Sequence, residues 1–298
     1  MRTLLMLHET GNVSRTARDM AMTQPALSKW LKELEQDLGI QLFKRHSKGL
    51  VPTRACDLLV ERSRLLLTEY SRTGELLDAL KHGVEAKLHV GTTPTASTEV
   101  IPSSIAAMAR QLPRTRVVVR EGPIDFLLPQ LKDARLDLIV SVLEDRDYGS
   151  DIAQIRLYRE QMVIVAGSSH PLCRQRKVTW PQLRGYSWVG APTDSLVYRE
   201  LMNEFALANQ PIPPFVGDIS SSVITSNVLA RTDCLAMMSR RSALLFERTG
   251  LIRILKIALQ RRLFVGALWR KQSELGQSGE AFVQCLKDAC QGFTASTP

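Results

Sequence analysis

A helix with a capped start, one apolar stripe and a polar opposite face lies close to the amino end of the chain, and few folds can use such a helix. Thr23 precedes Gln24-Pro25-Ala26-Leu27-Ser28-Lys29-Trp30-Leu31-Lys32-Glu33-Leu34-Glu35. The Thr23 hydroxyl can cap the helix, and Pro25 loses no intrahelical hydrogen bond in the first turn. Leu27, Leu31, Leu34 and Leu38 then recur at spacings of four, three and four, which places them on one buried stripe. The face left over carries Gln24, Pro25, Ser28, Lys29 and Lys32. Amides and hydroxyls of this kind can hydrogen-bond base edges, and lysines can neutralise phosphates.

Upstream, residues 3–10 read as a short helix with Leu4, Leu5 and Leu7 inward, stopped by the turn pair Gly11-Asn12. Residues 13–20 read as a second helix, capped by Asn12 or Ser14, whose Ala17 is small enough for another helix to cross closely. Ala21-Met22 is the tight turn into Thr23. Two short helices, a brief turn and a longer polar-faced helix make a helix-turn-helix, with a plain helical hairpin as the alternative on periodicity alone. After Leu38-Gly39 the period changes. Leu42-Phe43-Lys44-Arg45 and Leu50-Val51-Pro52-Thr53 flank His46-Ser47-Lys48-Gly49, a small hairpin, hence a wing. Its Lys44, Arg45 and Lys48 can sit on phosphates or enter the minor groove, or form a solvated basic turn.

The run Gly11-Asn12-Val13-Ser14-Arg15-Thr16-Ala17, followed by Thr23 to Lys29, Leu34-Glu35, Leu38-Gly39 and Leu42-Phe43-Lys44-Arg45, resembles the head of LysR-type transcriptional regulators. The resemblance implies a sequence-specific regulator of double-stranded promoter or operator DNA. It assigns DNA contact to Gln24, Pro25, Ser28, Lys29, Lys32, Arg15, Arg45 and Lys48. Lys29 stands where an arginine is commoner, and Trp30 is bulkier than the usual residue. The family has several more residues ahead of its first helix than this chain, so the first helix is expected to start abruptly.

Residues 55–83 contain no proline, and Leu59, Leu66, Thr73 and Leu80 at one seam position with Ser63, Tyr70, Leu77 and Val84 at the other give about four heptads. In LysR relatives this linker helix pairs antiparallel with its partner's. The resemblance therefore implies a homodimer, and a homotetramer through the effector domains, with room for RNA polymerase as a further partner. A single helix packed on its own domain is the alternative.

Beyond Lys87, strands and helices alternate. Residues 88–91, 116–120 and 136–142 read as strands separated by helices at 97–111 and 124–134, which argues a parallel α/β sheet with ligands at strand carboxyl ends. A second set follows, with strands at 161–166 and 187–189 and helices near 198–208 and 222–231, then a strand at 263–269 and a helix at 279–289. The strands near 161–166 and 263–269 are expected to carry both crossings between lobes. Pro102, Gln130-Leu131, Leu136-Asp137-Leu138 and His170-Pro171-Leu172 match the LysR effector domain in order and spacing, which implies two lobes resembling a type-2 periplasmic binding protein.

The expected fold class is α/β: an N-terminal winged helix-turn-helix over 1–54, a linker helix over 55–86, and a two-lobed α/β effector domain over 87–298. Lobe I is expected at 87–161 and 267–298, and lobe II at 162–266. By the family pattern the effector meets Thr93, Pro94, Thr95, Pro123, Val142, Ala191, Pro192, Ser220 and Ser221. Helix amino ends favour a small organic anion there, since unpaired N–H groups and the helix dipole point at it. A neutral sugar or aromatic compound is the alternative, and Thr93 and Thr95 can instead simply cap their helix.

Other chemistry is not expected. The sequence has no Gly-rich phosphate loop, zinc spacing or nucleophile elbow. His8, His46, His82, His89 and His170 have no carboxylate or cysteine at ligand or triad spacing, and His170 before Pro171 reads as a turn residue. No catalytic residue, metal or cofactor is expected. The five cysteines are scattered and read as reduced structural thiols. No run approaches the ~20 apolar residues a membrane span needs, and no signal-peptide pattern opens the chain, so cytoplasmic residence and no membrane partner are expected. The net charge of +9 divides into +4 over residues 1–54, −2 over 55–86 and +7 over 87–298, so charge alone does not establish DNA binding. A solute-binding sensor that never touches DNA would share the same two lobes; the amino-terminal helix-turn-helix separates the readings.

Overall fold

The computed structural model describes residues 1–46, 49–259, 262–271 and 275–294. Lys48 lies outside the described residues. By its internal contacts the chain forms two units, one of Met1–His82 with Asp133–Arg135 and the other of the remaining residues from Gly83 on.

Short polar side chains start the helices of the first unit. α1 (Arg2–Thr10) ends on Gly11 in the left-handed region at φ 58°. Asn12 caps α2 (Val13–Asp19) by accepting the Arg15 N–H, and Thr23 caps α3 (Gln24–Leu38) by accepting that of Ala26. The antiparallel hairpin of β1 (Phe43–His46) and β2 (Gly49–Pro52) follows, and Thr53 caps α4 (Arg54–Leu80) through the Cys56 N–H. Glu35 accepts the N–H groups of Leu42 and Phe43, which ties the hairpin to the end of α3. Leu4, Leu7, Ala17, Leu27, Leu42, Phe43, Cys56 and Val60 form the core, and Trp30 packs inward against it.

Two expectations fail here. Leu38 is not on the buried stripe but 47% exposed, because α3 outruns the small core before Gly39 ends it; Leu31 and Leu34 are half-buried. The linker seam is shorter than four heptads. Ser63 is buried in the single chain and Val84 lies past the helix end, leaving Leu66, Tyr70, Leu77 and Leu80 as an exposed apolar stripe.

The second unit opens with β3 (Ala86–Thr92), α5 (Pro94–Ser97), α6 (Val100–Gln111), β4 (Thr115–Glu121), α7 (Ile124–Lys132) and β5 (Leu138–Val142). The 16-residue β6 (Ile152–Gly167) leads to β7 (Trp188–Gly190), α8 (Leu196–Leu207), β8 (Phe215–Asp218), α9 (Ser222–Leu229) and β9 (Leu235–Ser239). α10 (Arg240–Arg248), β10 (Ile252–Ile254), β11 (Arg262–Arg270) and α11 (Gly276–Thr294) complete it. β4 and β5 flank β3 in parallel, and β11 joins β5 to β6 antiparallel. In the other lobe β8, β7 and β9 run parallel and β9 pairs antiparallel with β6. β6 is thus shared: it pairs with β11 up to Gln161 and with β9 from Met162.

The sheet is therefore mixed rather than parallel, because β6 and β11 run against their neighbours. Of the two strands expected to cross between lobes only β6 does, since among the described residues β11 pairs with β5 and the first part of β6 alone. The helix expected at 97–111 is two pieces. Pro102 lacks an N–H and its ring crowds the carbonyl four residues back, so α6 restarts after Glu99 at φ −128°. β8, β9, α10 and β10 were not among the expected elements; Leu-Ala-Met-Met-Ser of β9 is buried throughout and cannot alternate.

Candidate functional site

The expected DNA-reading face is exposed. Gln24 and Pro25 open α3 on the surface, with Lys29 and Lys32 following and Ser28 half-buried. The Gln24 side chain accepts a hydrogen bond from the Ser14 hydroxyl at 3.1 Å, linking the amino ends of α2 and α3. Arg15 and Lys29 are mostly exposed, each loosely paired one turn ahead, with Asp19 at 3.9 Å and Glu33 at 3.7 Å. Exposed i,i+4 pairs are worth a few tenths of a kcal/mol, so either cation is free to turn to a phosphate. Lys44 and Arg45 are exposed on β1.

The second unit holds a cavity of about 340 Å³ at the carboxyl ends of β3, β4, β5, β7, β8 and β9. Thr93, Pro94, Thr95, Pro123, Val142, Ala191, Pro192 and Ser220 all line it. Ser221 does not; its hydroxyl is spent as the cap of α9, accepting the Ile224 N–H, while its neighbour Ser222 takes the place at the wall. Thr93 occupies the cap position of α5, yet its side chain makes no capping bond, and its Oγ1 is buried without a hydrogen-bond partner among the described residues. The capping alternative therefore does not account for Thr93.

Besides the four-residue α5, four longer helices start at this cavity. Ile124 opens α7, and Ser195, Ser221 and Ser239 cap α8, α9 and α10. Helix amino ends concentrate unpaired N–H groups and positive potential. Sequence reasoning missed the charged walls: Glu121, Glu144, Asp194 and Arg199. Arg199 donates from Nη1 to the Asp194 carbonyl and from Nη2 to Glu144, a contact across 55 residues of chain that local patterns cannot reveal.

Four of the five thiols are held towards the neutral form by burial. Burial pushes Cys56 up to about 11 and Cys290 up to about 12, and raises Cys173 and Cys285 as well. A thiol held neutral at physiological pH is a weak nucleophile. His170 is a turn residue, as expected: its Nδ1 accepts the Leu172 N–H. No helix among the described residues is long and apolar enough to cross a membrane.

A winged helix-turn-helix with an exposed polar recognition face, carried with a two-lobed α/β domain around a small cavity, defines a ligand-responsive DNA-binding regulator. Residues 81–291 match the LysR substrate binding domain, and residues 1–57 match the bacterial regulatory helix-turn-helix protein of the lysR family. The chain belongs to the LysR family of transcriptional regulators, which are not enzymes, bind DNA, oligomerise and take small-molecule effectors. The HTH-type transcriptional regulator GalR of Pseudomonas putida is 29% identical over 288 residues, covering 96% of this chain and 72% of that protein. GbpR of Azospirillum brasilense is 27% identical over 293 residues, covering 97% and 85%. A full-length OxyR variant from Pseudomonas aeruginosa shares the fold, with a TM-score of 0.63 at 20% identity over 96% of this chain and 93% of that one. The reading of a sensor that never binds DNA is set aside by the match over residues 1–57.

Proposed function

We propose that this regulator acts in the cytoplasm and is switched by a small organic anion bound in the cavity. Four helix starts at one cavity carry this reading, because their unpaired N–H groups suit negative charge without a dedicated lysine. The volume lies at the small end of the roughly 300–1,000 Å³ usual for ligand pockets, which suits a compact metabolite. Thr93 offers a free hydroxyl, and Val142 and Pro192 supply apolar wall.

On the DNA side, Gln24, Pro25 and Ser28 read base edges while Arg15, Lys29, Lys32, Arg45 and Lys48 engage phosphates. The head over 1–54, linker over 55–86 and effector domain over 87–298 act as separate parts, and the exposed linker stripe joins two chains, with a tetramer through the effector domains. Ligand binding changes the angle between lobes and so the spacing of the DNA heads, a population shift without chemistry. Redox sensing, suggested by the likeness to OxyR, is disfavoured at Cys56, Cys173, Cys285 and Cys290, whose thiols burial keeps protonated.

Footprinting on the DNA upstream of the chain's own gene, with and without candidate anions, tests the proposal. A protected site whose extent changes with an anion is the expected result. An effector that binds equally well with and without cognate DNA would sink the switching mechanism, since coupling is reciprocal.

A further inference from the structure

Arg199 is the one cationic side chain on the wall of the cavity among the described residues, and an acid of the other lobe already holds it. Glu144 follows β5 of the first lobe, whereas Arg199 sits in the first turn of α8 in the second, so their ion pair closes across the cavity. Both side chains line the cavity, with 17% of Glu144 and 40% of Arg199 exposed. Glu144 has a second cation in reach: Arg146 Nη1 lies 3.8 Å from its other carboxylate oxygen, and Arg146 is itself tethered to Asp125 at 2.7 Å.

We propose that Arg199 recognises the anionic group of the effector and that Glu144 is a built-in competitor, a carboxylate of the chain that occupies the guanidinium until a ligand carboxylate replaces it. The exchange is chemically even. One carboxylate leaves Nη2 and another arrives, while the Nη1 bond to the Asp194 carbonyl at 3.0 Å holds the guanidinium in place. The displaced Glu144 falls back on Arg146 rather than being left unpaired, and a part-exposed ion pair is weak enough for a millimolar metabolite to break. The exchange also couples binding to lobe position, because it removes an inter-lobe bond and substitutes a bridge through the ligand. Specificity follows: the site rejects neutral analogues, which cannot compete with Glu144.

This inference rests on the reading of the effector as an anion, and the two can fail separately. Calorimetry on the full-length protein with acetate, succinate and benzoate, each against its neutral amide, is run on wild type, Glu144→Gln, Arg199→Gln and Arg199→Lys. DNA binding by each variant serves as the folding control. Glu144→Gln should tighten the carboxylates about three-fold by removing the competitor. Arg199→Gln should lose them by about ten-fold or more, and Arg199→Lys should restore part of the loss because it keeps the charge but not the fork. Carboxylates that bind the wild type and Arg199→Gln alike overturn the inference and leave the anion reading standing. Amides that bind as well as the acids overturn both. Carboxylates that bind neither the wild type nor Glu144→Gln also overturn the inference, since a freed guanidinium in the cavity must attract them.

Discussion

The hydroxyls of Thr98 and Ser242 lie 2.6 Å apart, joining positions 144 residues apart in the chain. Thr98 precedes α6 in one lobe and Ser242 lies in the first turn of α10 in the other, where it also borders the cavity. Beside them Arg241 bonds Glu99 at 2.9 Å, lies over the Tyr158 ring at 4.8 Å and approaches Glu160 at 3.7 Å. Glu160 is almost fully buried on β6, just before that strand passes from one partner strand to the other. Burial pushes its carboxyl up to about 7, and the hydrogen bond from the Gln161 N–H together with the nearby Arg241 only partly offsets this.

That shift gives a pH dependence. A carboxyl whose pKa is raised in the folded state keeps its proton more tightly there, so its contribution is fully present below about 4.5 and is lost as pH rises through about 7. Glu160→Gln should remove this loss. Melting curves between pH 5 and 8 should flatten, with the variant gaining roughly 3 kcal/mol over wild type at the alkaline end. A variant whose stability falls with pH as steeply as the wild type's would refute the assignment.

The recognition face makes a second, separable prediction. Gln24→Ala should relax base preference, whereas Lys29→Ala should weaken binding to all sequences alike and reduce the salt slope by about one. Binding titrations at several salt concentrations on cognate and scrambled DNA measure both. Two variants with wild-type affinity, specificity and slope would remove α3 from the major groove.

Thr93 separates a binding role from a capping one. Its Oγ1 has no partner among the described residues, so Thr93→Val discards an unsatisfied hydroxyl at nearly constant volume. Stability should hold or rise by up to about 1 kcal/mol, while effector affinity falls several-fold. Thermal melts with and without effector decide it: lost stability with normal binding would mean a structural hydroxyl.

Leu66 and Leu77 are 56% and 59% exposed on α4, two positions of one apolar stripe. Leu66→Asp combined with Leu77→Asp should shift sedimentation from the assembled form to the monomer at micromolar concentration, because buried carboxylates cannot be satisfied in a helix seam. A wild type that already sediments as a monomer refutes pairing through this helix.

Gly49 tests the wing. A Cβ there would lie 2.5 Å from the Gly11 carbonyl oxygen, at φ +132°, while the Leu50 N–H donates to that same oxygen at 2.8 Å. Gly49→Ala should cost about 2 kcal/mol or more of head stability and weaken DNA binding in proportion. Denaturation indistinguishable from wild type would show that the backbone relaxes freely there.

Sequence determined what depends on neighbours in the chain. Asn12 and Thr23 announce helix starts because a cap is a bond over three residues, and Leu4, Leu7 and Leu27 announce the head core because a helix repeats on a fixed period. The turns that follow β3, β5 and β7 carry the cavity wall for the same local reason: a strand followed by a helix must put its connecting residues at the strand's carboxyl end. Folding alone decided what meets across long separations. Nothing local pairs Arg199 with Glu144, Thr98 with Ser242 or Arg241 with Glu160, and the central strand β9 has no polar face to give it a period. Leu38 is exposed rather than buried because burial depends on where a small core runs out, and a helical repeat continues past that point unchanged.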